Sequence, residues 1–239
     1  VGLGVGLLKQ DKRAGLNVGI PMWLKAFLRI NGVELNVVGK DNLWRQRPAV
    51  FIFNHRNGYD PWMAAAMLER DFSVVAKKGI ESNWLMGPIG KLTNMAFIDR
   101  DNPRAAVEAL KPMEDMLRQG ISALIAPEGT RYDTQQVGPF KKGPFRMAMS
   151  AQVPVVPIVF RNAEMVAARD AATLCPGTVD VAVLPPIDVC SWQASELKDR
   201  IESVCGELEG LVGIPSEITQ QKIETIAEKA GEPFTQITV

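Results

Sequence analysis

Short apolar runs alternate with segments of helical periodicity along most of the chain, and this alternation restricts the possible folds more than any other feature. Each run is five to seven residues long and rich in Val, Ile, Phe or Ala. The runs span residues 33–38, 49–54, 72–76, 95–99, 121–126, 155–160 and 178–184. Helical patterns lie between or after them, at residues 61–70, 81–92, 104–118, 144–151 and 194–211. Strands that alternate with helices are typical of βαβ units, so the sequence predicts an α/β fold with a mostly parallel central sheet flanked by helices.

An N-terminal amphipathic helical segment is predicted before the first strand. Its apolar residues recur three and four positions apart, with Lys25 and Arg29 between them. These apolar residues are Ile20, Trp23, Leu24, Phe27 and Leu28. Such a helix can lie on an anionic bilayer or pack against the core of its own domain.

The last part of the chain is acidic, with seven glutamates and two lysines in residues 201–239. Ser216 and the isoleucines that follow it predict a capped helix ending near Gly231. We therefore predict an amphipathic segment over residues 1–32, a main domain over 33–213 and an acidic helix or tail over 214–239.

Composition excludes several classes of protein. Lys plus Arg and Asp plus Glu both number 27, so the basic excess of a nucleic-acid-binding protein is missing and no nucleic-acid partner is expected. His55 is the only histidine, which excludes multi-histidine metal sites, and no metal is expected. The three cysteines share no Cys-x-x-Cys spacing, and no apolar stretch reaches about 18 residues. A disulfide framework and a membrane-spanning helix are therefore not expected either.

A polar turn after the second strand holds the single histidine. Residues 54–61 read Asn-His-Arg-Asn-Gly-Tyr-Asp-Pro. Asp60 before Pro61 is typical of a helix start with Asp as the N-cap, and that alone would account for this aspartate. Alternatively, Asp60 meets His55 across the turn, which Gly58 would permit. A carboxylate there would fix the imidazole tautomer and stabilise the imidazolium that forms when His55 accepts a proton.

Other polar segments follow other strands. Residues 125–131 read Ile-Ala-Pro-Glu-Gly-Thr-Arg, in which Gly129 lets backbone amides approach a ligand and Arg131 can bind a phosphate through two parallel hydrogen bonds. Arg100 follows the fourth strand, and residues 153–158 begin the sixth. Taken separately, these segments could be an exposed turn, a surface ion pair and an edge strand.

Taken together and in this order, the segments resemble the sequence blocks of the glycerolipid acyltransferase family, which includes the 1-acyl-sn-glycerol-3-phosphate acyltransferases. The matches are His55 and Asp60 to the Asn-His-x4-Asp box, residues 97–100 to the second block, 127–131 to the third and 153–157 to the fourth. The resemblance covers residues 33–185, and four ordered blocks are far more specific than one. The chain departs from the family at Asn94, where glycine is common, and at Ala126, where an aromatic residue is common. Both positions are expected to touch the acceptor pocket.

The resemblance implies transfer of a fatty acyl group from a thioester of coenzyme A or acyl carrier protein to a lipid hydroxyl, without any further cofactor. His55, held by Asp60, would be the general base, and amides around Gly129 would stabilise the oxyanion. For a lysophosphatidic acid acceptor, Arg100 and Arg131 would bind the phosphate. Thr130 and, as weaker candidates, Lys77 and Lys78 are also expected in the acceptor site. Glu128 is expected behind these ligands, where it pairs with a basic residue or binds acceptor hydroxyls.

A lipid acceptor resides in a bilayer, so the resemblance favours membrane contact by the helix around residues 21–30. It implies a peripheral or monotopic enzyme at the cytoplasmic face of a membrane, while the oligomeric state stays open. A serine hydrolase is not indicated, since residues 120–124 lack the final glycine of Gly-x-Ser-x-Gly. The resemblance leaves three other acceptors open: glycerol 3-phosphate, another lysophospholipid or a glycolipid. The alternative to an enzyme is a non-catalytic lipid-binding module.

Overall fold

The computed structural model describes residues 12–84, 86–132, 136–212 and Thr225. Its strands are β1 (Val33–Val38), β2 (Val50–Phe53), β3 (Phe72–Lys77), β4 (Ala96–Ile98), β5 (Ser122–Ile125), β6 (Val155–Phe160) and β7 (Gly177–Val183). Its helices are α1 (Lys12–Ile30), α2 (Asn42–Arg45), α3 (Asp60–Leu68), α4 (Met86–Thr93), α5 (Pro103–Arg118), α6 (Gly143–Ala151) and α7 (Leu197–Glu209). Two short 3-10 turns span Lys78–Ile80 and Ala163–Met165.

The strands form one sheet in the order β1-β7-β6-β2-β5-β3-β4. The five strands from β6 to β4 run parallel, and β7 reverses direction against β6 while pairing parallel with β1. The predicted α/β fold with a mostly parallel sheet is therefore confirmed. Because five parallel strands end at one edge, the polar segments after β2, β3, β4 and β5 are brought to the same side of the sheet.

Helices cover both faces of the sheet, and β2 shows why its sequence is apolar throughout. Phe51 and Phe53 face a core shared with α1 and α3, whereas Val50 and Ile52 face a core shared with α5, α6 and α7. Successive side chains of a strand point to opposite faces, so a strand covered on both faces needs a continuous apolar run.

All seven predicted strands and the predicted helices of the main domain are present, with shifts of a few residues at their ends. The largest shift is at the helix predicted over 81–92: the regular helix begins only at Met86, after the 3-10 turn at Lys78–Ile80. The four-residue helix α2 has no counterpart in the prediction, because it is too short to show a helical period. The helix predicted from Ser216 to Gly231 lies outside the described residues except for Thr225.

The apolar face of the amphipathic helix α1 packs against the core of its own domain. Leu24 and Leu28 are buried in the core under α3, and Lys25 Nζ lies 2.5 Å from Glu69 Oε1 at the end of that helix. In contrast, Met22 and Ile30 are exposed, Ile30 to 85%. None of the helices in the described part of the chain is both long enough and apolar enough to cross a membrane.

Candidate active site

The turn between β2 and α3 brings His55 and Asp60 together. His55 Nδ1 lies 3.0 Å from Asp60 Oδ2, and the same oxygen accepts hydrogen bonds from the backbone amides of Arg56, at 2.5 Å, and Asn57, at 2.8 Å. The side chain of Asp60 makes no N-cap hydrogen bond; Tyr59 occupies the cap position, without a side-chain bond. The N-cap interpretation of Asp60 is therefore wrong, because its carboxylate points back into the turn.

Asp60 is completely buried, and this sets its electrostatics. Burial raises the pKa of its carboxyl group, while the hydrogen bond and charge of His55 and the amides of Asn57 and Arg56 act in the opposite direction. Its second oxygen, Oδ1, is buried and has no hydrogen-bond partner among the described residues. The His55 side chain is 13% exposed, so its ring can be reached from solvent while its Nδ1 stays fixed by the buried carboxylate.

Two buried asparagines, to which the sequence patterns gave no role of their own, hold the turn in place. Asn54 forms two hydrogen bonds with the backbone of Phe160 at the end of β6, both 2.7 Å long. Asn57 donates to the carbonyls of Ala163 and Ala167, at 2.9 and 3.2 Å. The signal for Asn54 in the sequence is a polar side chain directly after a fully apolar strand, which must find hydrogen-bond partners once buried.

Glu128 hydrogen-bonds to the backbone of the dyad turn and of Gly138. Its Oε1 accepts from the backbone amide of His55 at 2.7 Å, and its Oε2 accepts from that of Gly138 at 2.9 Å. Both oxygens of this buried carboxylate thus bind backbone. The expected hydrogen bond to a basic side chain does not occur among the described residues. Burial raises the pKa of Glu128, and the two amides partly offset that effect. The geometry supports a positioning residue for His55 rather than an acceptor ligand.

The three residues after Glu128 lie at the mouth of the site. Gly129 has a φ of +72°, a conformation that favours glycine, and its amide donates to Ala126 O at 3.2 Å. Because that amide is engaged, it is not a free oxyanion donor. Thr130 is exposed.

Arg131 lies over the turn that holds the dyad. A Cβ added to Gly58 would lie 3.8 Å from Arg131 Nη1. Gly58 does not have a positive φ, so the turn does not need the conformational freedom that was predicted for this glycine. An added Cβ would make only an ordinary van der Waals contact with the guanidinium, so the structure shows no steric need for glycine at this position.

Arg100, Lys77 and Lys78 line one cavity of about 520 Å³ at the carboxyl ends of β3 and β4. Three acidic residues, Glu81, Asp99 and Asp101, line the same cavity and balance its charge. Partial burial lowers the pKa of Arg100, and the positive charge of Arg131 lowers it further. Arg100 thus links the cavity to Arg131, whereas Lys78 Nζ lies 3.9 Å from Asp99 Oδ2.

No group of three or more His, Cys, Asp or Glu side chains that could hold a metal ion occurs within the described ranges.

Comparison with known proteins places this geometry in a family. Residues 34–161, more than half of the chain, match the family model described as Acyltransferase. The chain belongs to this acyltransferase family. It is 29% identical over 204 residues to 1-acyl-sn-glycerol-3-phosphate acyltransferase beta of Homo sapiens, an alignment that covers 83% of this chain and 72% of that protein. It is 29% identical over 157 residues to 1-acyl-sn-glycerol-3-phosphate acyltransferase of Cocos nucifera, covering 65% of this chain and 51% of that protein. The chain thus spans between half and three quarters of the length of these acyltransferases.

A solved structure supports the fold assignment. The crystal structure of the 1-acyl-sn-glycerophosphate (LPA) acyltransferase from Thermotoga maritima superposes with a TM-score of 0.73 at 23% sequence identity, and the match covers 88% of this chain and 86% of that one. The acyltransferase fold therefore extends well beyond the family-model match, through most of the described residues.

The departure from the family pattern at Asn94 has a structural explanation. Asn94 has a φ of +57°, and asparagine tolerates this region better than other residues that carry a side chain. The residue precedes β4, at the amino end of a parallel strand, and its carbonyl accepts from Ser73 Oγ at 2.9 Å. Asn94 therefore lies at the amino ends of the parallel strands, whereas the polar segments that contain His55, Arg100 and Arg131 follow their carboxyl ends.

Proposed function

We propose that this acyltransferase moves a fatty acyl group from acyl-CoA or acyl-ACP to the sn-2 hydroxyl of lysophosphatidic acid. The contact between His55 Nδ1 and the buried Asp60 carboxylate, at 3.0 Å in the turn whose Gly58 lies next to Arg131, carries the proposal. The names of the relatives support the acceptor. No cofactor other than the thioester co-substrate is required.

The dyad supplies general-base catalysis. Asp60 holds His55 Nδ1, so Nε2 is the nitrogen that accepts the proton of the acceptor hydroxyl as its oxygen attacks the thioester carbonyl. The tetrahedral intermediate then expels the thiolate, which takes the proton back from the imidazolium. General-base assistance of this kind contributes a factor of about 10² to 10⁴ in rate.

Arg131 is the best placed of the predicted phosphate ligands, because it lies over the dyad turn. A guanidinium can bind a phosphate with two parallel hydrogen bonds and so position the neighbouring hydroxyl. Arg100 adds a second positive charge. Lys77 and Lys78 are weaker candidates, since acidic residues balance the cavity that they line. The oxyanion donors would be the amides that follow Gly129, since the amide of Gly129 itself is engaged.

We further propose that the enzyme is peripheral or monotopic at the cytoplasmic face of a membrane, with α1 as its bilayer contact. The exposed Met22 and Ile30 support this placement, as does the position of Lys25 and Arg29 on the same helix. Apolar side chains rimmed by basic ones favour an anionic bilayer surface.

The test is thiol release from a long-chain acyl-CoA with a panel of acceptors: lysophosphatidic acid, glycerol 3-phosphate, another lysophospholipid and a glycolipid. We expect lysophosphatidic acid to give the highest kcat/KM and His55→Gln to abolish release while the melting temperature stays close to that of the wild type. Since the chain has no second histidine, retained activity in this variant would contradict the mechanism. A different preferred acceptor would contradict only the substrate assignment.

A further inference from the structure

The loop between β6 and β7, residues 161–176, lies outside the four sequence blocks, yet side chains of the dyad turn hold it in place. Asn57 binds two of its carbonyls, those of Ala163 and Ala167. Tyr59 donates its hydroxyl to Ala172 O at 2.5 Å. The β6–β7 loop is therefore a wall of the proposed site.

The same loop contacts Arg131, the proposed phosphate ligand. Arg131 Nη1 donates to the carbonyl of Arg169 at 2.5 Å, and Arg131 Nη2 lies 3.1 Å from Asp170 Oδ1. Asp170 is 74% exposed, so it reaches Arg131 from the solvent side. Carboxylate and phosphate oxygens bind the same guanidinium N–H groups, so Asp170 and an acceptor phosphate are alternative partners of Arg131.

We propose that Asp170 determines head-group specificity: its carboxylate competes with the acceptor phosphate for Arg131 and so sets how strongly the site prefers a phosphate monoester to an uncharged head group. This inference rests on the proposed function. The negative charge of Asp170 repels a phosphate, whereas it has no such effect on the hydroxyl head group of a monoacylglycerol. Since the phosphatidate product carries the same phosphate, the competition also limits how tightly the product is retained.

The size of the effect follows from the exposure of the pair. Exposed ion pairs contribute little, so removing the carboxylate should strengthen phosphate binding by about two- to fivefold. Salt screens the interactions of exposed charges, so the gain should shrink as ionic strength rises. A purely structural role of Asp170 would give neither this direction nor this salt dependence.

The first experiment compares Asp170→Asn with Asp115→Asn. Asp115 is a matched control, because it is 67% exposed and pairs with Arg118 at 3.0 Å on α5, on the other face of the sheet. In Asp170→Asn we expect the KM for lysophosphatidic acid to fall about two- to fivefold and the kcat/KM for monoacylglycerol to stay constant. The control should change neither. A KM that stays constant or rises in Asp170→Asn would overturn the proposal, a rise because Asp170 would then position Arg131 instead.

A second measurement does not depend on catalysis. Calorimetric titration with glycerol 3-phosphate, a soluble phosphate monoester, should show tighter binding to Asp170→Asn than to the wild type, and no gain once Arg131→Gln is added. If Asp170→Asn binds glycerol 3-phosphate more tightly but the protein transfers no acyl group, the competition between Asp170 and phosphate is supported and the proposed function is contradicted. If the protein transfers acyl groups but Asp170→Asn shows no gain in binding, only the role proposed for Asp170 is contradicted.

Discussion

Asp60 concentrates three hydrogen-bond contacts on one carboxylate oxygen, those of His55 Nδ1 and of the amides of Arg56 and Asn57. In Asp60→Asn the side chain has nearly the same size and keeps one oxygen as an acceptor for the amides. It cannot stabilise the imidazolium by charge. We expect kcat for thiol release to fall by about 10² to 10⁴ while the KM for the acceptor stays nearly constant. Steady-state kinetics on both substrates measures this split.

Circular dichroism melting of the same variant supplies the control, because loss of the fold would lower kcat for another reason. A folded Asp60→Asn protein with wild-type kcat would show that the buried carboxylate only shapes the turn.

The sequence was most informative for residues whose chemistry depends on their own side chains. Polar residues that follow strands predicted the His55–Asp60 pair and the place of Arg131 near the same turn. This is because the carboxyl ends of parallel strands meet on one side of the sheet. The contact of Glu128 with the backbone of His55 and Gly138 could not be predicted, since any residue offers a backbone amide and leaves no mark in the sequence. Asp170 was missed for a related reason: a single acidic residue in a polar loop looks like ordinary surface.

At the scale of elements, α1 allows a test of membrane contact that leaves its packing intact. Deleting the helix would also remove the buried Leu24 and Leu28, so a double substitution of exposed residues, Met22→Ser and Ile30→Ser, is the sharper variant. It should lower flotation with anionic vesicles several-fold, because the apolar side chains that would enter the interface are lost.

Val107→Ser is the matched control for this variant. Val107 is exposed on α5, on the face of the sheet opposite α1. Its substitution therefore removes an apolar side chain from a surface that is not proposed to contact the bilayer. Equal flotation of the wild type and both variants would exclude α1 as the bilayer contact.

The strands were predicted well because each is a short run rich in apolar residues, and β2, β5 and β6 are buried along their whole length. The reversed direction of β7 was not predicted, since a buried antiparallel strand inside such a sheet has the same composition as a parallel strand. The start of α4 was placed several residues early, because the 3-10 turn at Lys78–Ile80 has no period of its own in the sequence.

At the scale of the whole molecule, Glu128 couples two distant parts of the chain through a buried carboxylate, and this makes stability depend on pH. Burial raises the pKa of Glu128 above its ordinary value of 4.5. Between that value and the raised one, the folded protein binds more protons than the unfolded chain, so the free energy of unfolding falls as pH rises. The contribution of Glu128 is fully present below about pH 4.5 and is lost as the pH rises through the raised pKa.

Urea unfolding of the wild type and of Glu128→Gln across pH 4.5 to 8 isolates this contribution, because glutamine does not titrate and the other groups, Asp60 included, are common to both proteins. We expect the free energy of unfolding of the wild type, relative to the variant, to decrease with pH by up to about 1.4 kcal/mol per pH unit. Glu108→Gln, which removes the same charge from the exposed surface of α5, controls for the change in net charge. If the free energy of unfolding of the wild type, relative to Glu128→Gln, stays constant or grows with pH, Glu128 is ionised in the folded protein throughout. Its two amide contacts would then outweigh the effect of its burial on the pKa.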